Sequence, residues 1–409
     1  MADTPTSNGA RSSGQTDPAG AFRAPTRRQA IAGTGIVLGA AALASTPFLG
    51  DLFASFSRML RPAVGVVAPS SARYPDLLVQ ITAGVRKGLA ASGQADAPVF
   101  ARTAPNSAPS SAAAAARSLI EREKVDVVLV YANPTRTGLL GDLAEETGVP
   151  VIVIDPGAHI VTTADADPRV LSHSLGHWQS AWALGSWAAG GLGKRAYVIS
   201  SLYESGFDTL SAFEHGLQRS GGTVVGTSVT HVKAGDASVA AGAAAASGAD
   251  AIFVAASGHE ADEILSALAA DERASKMPLL LPGLSVDRLV AAPGSTAHTA
   301  LTWPVASRGA FEMLGEDVGA LIAVAVEGGR EALPAGSTSL AGARGRVEFD
   351  LATGRTDVSV RIHRASSSGG RVTMKPVADE NTTAQASAFA DTIVASPRTG
   401  WIDVYGSAM

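Results

Sequence analysis

Two histidines are the first candidates for binding chemistry in this chain. His173 and His177 stand four residues apart, a spacing that places two metal ligands on one face of a helix. A zinc site needs three or four protein ligands, and the sequence offers no third ligand near this pair. We therefore favour another interpretation, in which the two histidines belong to a connecting segment that lines a ligand cleft.

The sequence lacks the motifs of catalysis. It contains no cysteine, which excludes disulfides, thiol catalysis and thiolate metal sites. No G-x-S-x-G or H-E-x-x-H pattern occurs, and Gly193-Lys194-Arg195 lacks both the first glycine and the hydroxyl residue of a P-loop. We therefore expect no enzyme activity, no bound metal and no cofactor.

Several other side chains have the chemistry of ligand contacts, each with an ordinary structural alternative. Around Thr135 and Arg136, hydroxyls, backbone amides and a helix N-terminus could hold a carboxylate. Alternatively, Thr135 or Thr137 caps the helix that begins at Gly138, and Arg136 points to solvent. Trp178 could stack on a ligand ring. Glu260 could pair with a cationic group, or it could simply stabilise the N-terminus of its own helix.

The hydrophobic pattern predicts the scaffold that must position these side chains. From Lys194 to Ser285, short apolar runs alternate with helical patterns, as they do in parallel β-α-β units. The same order of strand, helix and strand patterns occurs earlier in the chain, since Val125–Val153 has the pattern of Ala249–Leu281. Two copies of one α/β half predict two lobes with a cleft between them.

Ligands of open α/β sheets bind outside the carboxyl ends of the strands, so the loops after six predicted strands should form the site. These loops are Pro69–Tyr74, Ala132–Thr137 and Asp155–His159 in the first copy, and Ser201–Gly206, Ser257–Glu260 and Pro282–Ser285 in the second. Between the copies, Val170–His177 is predicted to cross from one lobe to the other.

Composition excludes other classes of protein. With 46% hydrophobic and 17% charged residues, the chain can build hydrophobic cores and is not a disordered protein. The formal charge of −5 and the lack of a basic stripe argue against a nucleic-acid partner.

The N-terminus carries the pattern of an export signal. Residues 1–23 are rich in Ser, Gly, Pro and Thr and are expected to be disordered. Arg27 and Arg28 precede the uncharged segment Ile31–Pro47, which contains an A-x-A site at Ala42-Leu43-Ala44. This order is typical of a Tat signal peptide and predicts a periplasmic or extracytoplasmic protein. Alternatively, the apolar segment stays uncleaved and anchors the protein to the membrane.

Several segments resemble one protein family in their order along the chain. Ser205–Gly226 and Ala246–Gly258 look like the second lobe of the branched-chain amino-acid-binding family, whose members are type I periplasmic solute-binding proteins of ABC importers. Gly148–Val153 and Gly345–Gly354 resemble a first-lobe strand and a late hairpin of that family. The resemblance covers about residues 62–365. It implies two Rossmann-like lobes, a hinge of three crossings and closure on a small ligand.

The resemblance also adds residues to the predicted site. It implies contacts from the backbone and small side chains at Gly157 and Ala158, where a plain turn is the alternative, and hydroxyl or aromatic contacts at Tyr203 and Ser205. The acid that would pair with a ligand ammonium is missing near Leu284. The complete set of predicted ligand contacts is Tyr74, Pro134, Thr135, Arg136, Gly157, Ala158, His177, Trp178, Tyr203, Ser205, Ser257, His259, Glu260 and Leu284.

The sequence therefore predicts an exported solute-binding protein that captures a small polar or amphipathic metabolite (an amino acid, amide or carboxylate) and delivers it to an ABC permease. An extracytoplasmic sensor that presents its solute to a membrane receptor is the alternative, because both roles use the same closed state. We expect a monomer. The predicted parts are residues 1–44 (disordered region and signal), 45–61 (linker), 62–173 with 301–343 (lobe 1), 174–300 with 344–365 (lobe 2) and 366–409 (C-terminal extension).

Overall fold

The computed structural model describes residues 61–71, 74–162, 166–231, 235–303, 309–332, 337–350 and 355–395. The predicted signal, nearly all of the predicted linker, and Trp401 and Tyr405 in the predicted tail lie outside these ranges. Within them, no helix has the length and apolar character needed to span a membrane.

The described elements alternate between strands and helices along most of the chain. The strands are β1 Val64–Pro69, β2 Val99–Ala104, β3 Val127–Tyr131, β4 Val151–Asp155, β5 Leu171–Ser174, β6 Arg195–Ser201, β7 Thr223–Thr230, β8 Ala251–Ala255, β9 Leu279–Leu280, β10 Thr296–Leu301, β11 Ser337–Gly342, β12 Gly345–Asp350, β13 Arg355–Ser368 and β14 Arg371–Thr382. The α-helices are α1 Leu77–Ala91, α2 Pro109–Glu123, α3 Gly138–Thr147, α4 His177–Gly191, α5 Thr209–Arg219, α6 Asp236–Ala246, α7 Gly258–Ala270, α8 Ala310–Ala332, α9 Thr383–Ser387 and α10 Ala390–Ala395.

The first sheet is entirely parallel, with the strand order β2-β1-β3-β4-β5. Its central strands are runs of buried valine, isoleucine and leucine, because helices cover both of its faces. Helices α1 and α8 pack on one face and helices α2 and α3 on the other. All five strands therefore end at the same edge.

The second sheet repeats this plan and then extends it. Strands β7, β6, β8, β9 and β10 are parallel neighbours, with α4 and α5 on one face and α6 and α7 on the other. The long strand β13 pairs antiparallel with β10, β12 and β14. Part of the predicted C-terminal extension thus continues the second sheet as the end of β13 and as β14.

Each half contains a pair of helices that cross in close contact through glycine. A Cβ atom on Gly84 of α1 would lie 1.9 Å from the carbonyl oxygen of Glu312 in α8. A Cβ atom on Gly216 of α5 would lie 2.0 Å from the carbonyl oxygen of Trp182 in α4. Since real Cβ atoms do not approach carbonyl oxygens so closely, a side chain at either position would force the helices apart.

The first passage between the sheets is shorter than the sequence predicted. The predicted crossing Val170–His177 includes β5, which pairs with β4 in the first sheet. Only Leu175 and Gly176 separate β5 from α4, and Gly176 adopts a positive φ of 66°. The prediction was wrong for Leu171–Ser174 because polar residues in this short strand hid its pairing.

A buried charged cluster joins the segments that pass between the sheets. The Arg344 guanidinium donates from Nε to Asp317 Oδ2 (2.5 Å), from Nη1 to the Ser174 carbonyl (2.9 Å) and from Nη2 to His173 Nε2 (2.9 Å). The side chains of Arg344 and Asp317 are fully buried. Thr302, which follows β10, donates to the Leu175 carbonyl (2.5 Å).

The protonation state of His173 follows from this geometry. A guanidinium can only donate, so Nε2 must accept and the ring proton lies on Nδ1, which donates to Thr356 Oγ1 (3.1 Å). Burial, together with the Arg344 charge, lowers the pKa of His173 to about 4. Burial acts to raise the pKa of Asp317, but the charge of Arg344 and the interactions of the carboxylate with Arg344 and His173 together outweigh burial and leave that pKa below its ordinary value.

Candidate ligand-binding site

Loops from both sheets meet around one small cavity, which we call the central cavity. It is small: the space between its walls, part of which is open to solvent, is about 320 Å³. Its walls are Tyr74, Pro156 and Ala158 from loops of the first sheet, His177 from the start of α4, and Tyr203, Glu204, Phe207, Leu284 and Ser285 from loops of the second sheet. The edges that the sequence selected as the ligand site therefore face one another.

Aromatic rings form much of the wall. Tyr74 packs edge-on against Phe311 of α8 at a centroid distance of 5.1 Å. Opposite, Tyr203 packs at 88° against Phe207, with the ring centroids 5.1 Å apart. Phe207 also contacts His159 of the first-sheet loop at 5.3 Å. Rings from both lobes are thus in place to pack on the apolar body of a ligand.

The buried acid of the central cavity is Glu204. It follows β6 in a short 3₁₀ turn, where its amide donates to Ser201 Oγ (3.1 Å). Ser257, at the N-terminus of α7, donates to Glu204 Oε1 at 2.5 Å. The sequence had suggested Glu260 as the acid of the site, but Glu260 is half-buried in the first turn of α7 and does not line the central cavity.

His177 contributes a polar atom that lacks a protein partner. The side chain is 5% exposed and lines the central cavity, and no described residue hydrogen-bonds its Nδ1. Burial lowers the pKa of His177 to about 4, so the imidazole is neutral at neutral pH. A buried polar atom without a partner is costly, and a ligand that hydrogen-bonds Nδ1 would remove this cost.

A second cavity of about 330 Å³ adjoins the first and shares Pro156 and Ala158 with it. Asp155, the last residue of β4, lies in its wall and is 4% exposed. The carboxyl group accepts hydrogen bonds from the Gly157 amide, at 2.7 Å, and from the Ala158 amide. Burial raises the pKa of Asp155 to about 7, although the two amides act to lower it.

Direct hydrogen bonds close the rim between the two lobes. The Asp208 amide donates to the Ala158 carbonyl (3.0 Å), and the Ile160 amide donates to Asp208 Oδ2 (2.7 Å). Asp208 immediately precedes α5 of the second sheet, whereas Ala158 and Ile160 follow β4 of the first. The lobes are therefore in contact beside the cavity.

The family model described as periplasmic binding protein matches residues 101–323, more than half of the chain. The chain belongs to this family. The predicted family and its α/β fold are thereby confirmed. No curated protein matches the sequence.

Solved structures show the same fold at low sequence identity. An ABC transporter substrate-binding protein from Sphaerobacter thermophilus is 20% identical, with a TM-score of 0.64 over 78% of this chain and 98% of that one. A Rhodopseudomonas palustris solute-binding protein in complex with 4-hydroxybenzoate is 18% identical, with a TM-score of 0.58 over 79% and 96%. An ABC-type branched-chain amino acid transporter protein from Rhodopseudomonas palustris is 12% identical, with a TM-score of 0.61 over 78% and 96%.

In this periplasmic binding protein, about half of the predicted contact residues lie at the cavities. The central cavity brings together Tyr74, Ala158, His177, Tyr203 and Leu284, and Pro134 lines the second cavity. Pro134, Gly157 and Trp178 line a third cavity of about 690 Å³ that also touches β5, β13 and α9.

The other predicted contacts have different surroundings, and Thr135, Arg136, Ser205, Ser257, His259 and Glu260 line none of these three cavities. The amide and hydroxyl of Thr135 both donate to Asn133 Oδ1 at 2.9 Å. Arg136 is exposed, and the exposed His259 contacts Glu263 at 3.2 Å. Ser205 donates to the Leu202 carbonyl at 2.6 Å.

Proposed function

We propose that the protein is an extracytoplasmic solute-binding protein that captures a small polar or amphipathic metabolite and delivers it to an ABC permease. The observation that carries this proposal is the central cavity, whose wall is built by loops from both sheets. A ligand that contacts both lobes at once favours their closed arrangement, which is the signal that a membrane partner can read.

The relatives and the lining support this proposal. Family membership supports solute binding outside the cytoplasm, and the structural neighbours include substrate-binding proteins of ABC transporters. One neighbour was solved with 4-hydroxybenzoate, a ligand with a single ring. The rings of Tyr74, Tyr203 and Phe207 suit a ligand with an aromatic or other apolar body. In this proposal, the protein binds its solute without catalysing a reaction of it.

A thermal-shift screen tests the proposal, with amino acids, amides, organic acids and aromatic compounds as the panel. A ligand at 100 times its dissociation constant adds about 2.7 kcal/mol to the free energy of unfolding, which raises the melting temperature by a few degrees. Each hit is then measured by titration calorimetry and recovered after incubation with the protein. A hit recovered unchanged supports binding without catalysis, whereas a consumed hit contradicts it.

A matched pair of variants locates the site. Leu284→Trp places an indole at the wall of the central cavity, and Leu139→Trp makes the same change at a side chain that is 49% exposed on α3. We expect Leu284→Trp to abolish the ligand-induced shift and Leu139→Trp to retain it. If both variants bind the hit like the wild type, the central cavity is not the binding site.

A further inference from the structure

We infer that Asp155 excludes ligands with a free carboxylate, so that the protein selects small uncharged ligands that carry N–H donors, such as aromatic carboxamides. This inference rests on the proposed solute-binding function and concerns a ligand that occupies the central cavity together with the adjoining second cavity, whose wall contains Asp155. Of the three classes left open by the sequence, it retains amides and removes carboxylates and amino acids.

The first argument concerns the amides at the end of β4. Pro156 has no N–H group, and the amides of Gly157 and Ala158 both hydrogen-bond the Asp155 carboxyl group. Adjacent backbone amides are the donors that would otherwise hold a ligand carboxylate. One Asp155 oxygen accepts whether the group is ionised or protonated. The chain's own carboxyl group therefore fills the place of a ligand carboxylate.

The second argument concerns charge. Among the described residues, those that line the central and second cavities include no lysine or arginine. They do include two buried carboxyl groups, those of Glu204 and Asp155. A ligand carboxylate would lose its water here, and no cationic side chain among the described lining residues would compensate its charge. His177 does not offset this charge, because its imidazole is neutral.

The third argument concerns what the cavity would accept. Nδ1 of His177 is buried without a partner among the described residues, and it donates or accepts according to the tautomer. A carboxamide carries both an N–H donor and a carbonyl acceptor, so it can satisfy either tautomer. An ionised carboxylate can only accept. Ser285 also lines this wall, and a hydroxyl can donate or accept.

Matched acid and amide pairs test the inference directly. The probes are 4-hydroxybenzamide with 4-hydroxybenzoate, benzamide with benzoate, and isobutyramide with isobutyrate, measured by titration calorimetry. Each pair differs only in the polar end. For the pairs that bind, we expect the wild type to bind the amide at least about 30-fold more tightly than the acid. This ratio is the loss of affinity usually measured when a buried charged group lacks its hydrogen-bonding partner. An acid that binds as tightly as its amide would overturn the inference.

Two substitutions of Asp155 test whether its carboxyl group excludes acids by occupying the Gly157 and Ala158 amides. Asp155→Ala frees the Gly157 and Ala158 amides, and we expect the affinity ratio of amide to acid to fall at least about 10-fold. Asp155→Asn keeps an oxygen that can accept from these amides, so its ratio should fall less. Asp155→Gly replaces the alanine variant if that variant does not fold. An unchanged ratio in a folded variant with free amides would contradict the role assigned to Asp155.

The outcomes distinguish this inference from the proposed function. Acids that bind the wild type as well as amides do would leave solute binding intact and would remove only the assigned ligand class. Binding of no probe by either the wild type or Asp155→Ala would overturn the ligand class, and a silent broad panel would overturn the solute-binding function as well.

Discussion

Asp155 ends a strand of otherwise apolar residues, Val151–Ile154, and burial sets its protonation state. Burial raises its pKa to about 7, whereas a carboxyl group in an unfolded chain titrates near 3.8. The folded protein thus binds this proton more tightly than the unfolded chain. Its free energy of unfolding must therefore fall as the pH rises from about 4 to about 7, through this group alone.

Asp155→Asn tests this pH dependence, because an asparagine oxygen can accept a hydrogen bond from the same amide but the side chain does not titrate. We expect the variant to gain stability relative to the wild type as the pH rises from 4 to 7, by at most on the order of 4 kcal/mol, with no further change above pH 8. The buried His173 and His177 give the opposite slope, but both proteins contain them and they cancel in the difference. Urea unfolding followed by circular dichroism measures it, and a difference independent of pH would refute the assignment.

The residues of the site were only partly predictable from sequence. Tyr74 and Tyr203 could be found, because each lies in a loop at the carboxyl end of a strand. Glu204 lies in such a loop too, but the sequence analysis named Glu260 and not Glu204 as the candidate acid, because the burial of Glu204 depends on the 3₁₀ turn after β6. The burial of Asp155 against two amides depends on the path of the backbone beyond β4, which no spacing of residue types encodes.

At the scale of elements, the cluster around Arg344 ties the passages between the sheets to helix α8. Asp317 of α8 and Arg344, in the turn between β11 and β12, have fully buried side chains and depend on each other for charge compensation. Removal of one charge leaves the other buried without compensation. When both charged side chains are replaced, no uncompensated charge stays buried.

Arg344→Met should therefore lower the free energy of unfolding by about 3 to 5 kcal/mol, and the double variant Arg344→Met, Asp317→Met should lose less. Arg346→Met is the matched control, since the same change falls on a side chain that is 72% exposed and pairs with Glu348. We expect the control to stay within about 1 kcal/mol of the wild type. Chemical unfolding measures all four proteins. A loss below about 1 kcal/mol in Arg344→Met would show that the cluster contributes little.

The spacing of apolar residues predicted most helices and strands, but it did not predict the residues at which they begin and end. The helical spacing of Phe207, Leu210, Phe213 and Leu217 predicts one helix over Phe207–Leu217. The structure instead has a 3₁₀ turn, an extended residue at Phe207 and then α5. Phe207 keeps the helical spacing of apolar residues because it packs into the cavity wall. Tertiary contact, rather than local propensity, thus decides where this helix begins.

At the scale of the whole molecule, the repeated order of strands and helices predicted two similar halves, and the fold confirms them. The sequence did not reveal that β13 runs for 14 residues and pairs with three strands. Such pairing joins residues far apart in the chain, and alternation within one strand cannot specify its partners.

Closure of the two lobes is the property of the whole molecule on which the proposed function depends. The bond from the Ile160 amide to Asp208 Oδ2 crosses between the lobes beside the central cavity. A hydrogen bond to a charged group contributes about 1.5 to 3 kcal/mol, enough to change the ratio of closed to open molecules by 10-fold or more. The Ile160 side chain packs in the apolar core of the second sheet, so the same bond also holds this loop residue against the second lobe.

Asp208→Ala should therefore shift the protein without ligand toward open forms. We expect a larger radius of gyration by X-ray scattering, a greater contraction when ligand is added and about 10-fold weaker ligand binding, because the ligand must then also close the lobes. Asp271→Ala is the matched control, since its carboxylate accepts the Arg273 and Ala274 amides within one turn. If Asp208→Ala scatters and binds like this control, closure does not depend on Asp208. If it is as compact as the wild type yet binds weakly, Asp208 shapes the cavity rather than the balance between open and closed forms.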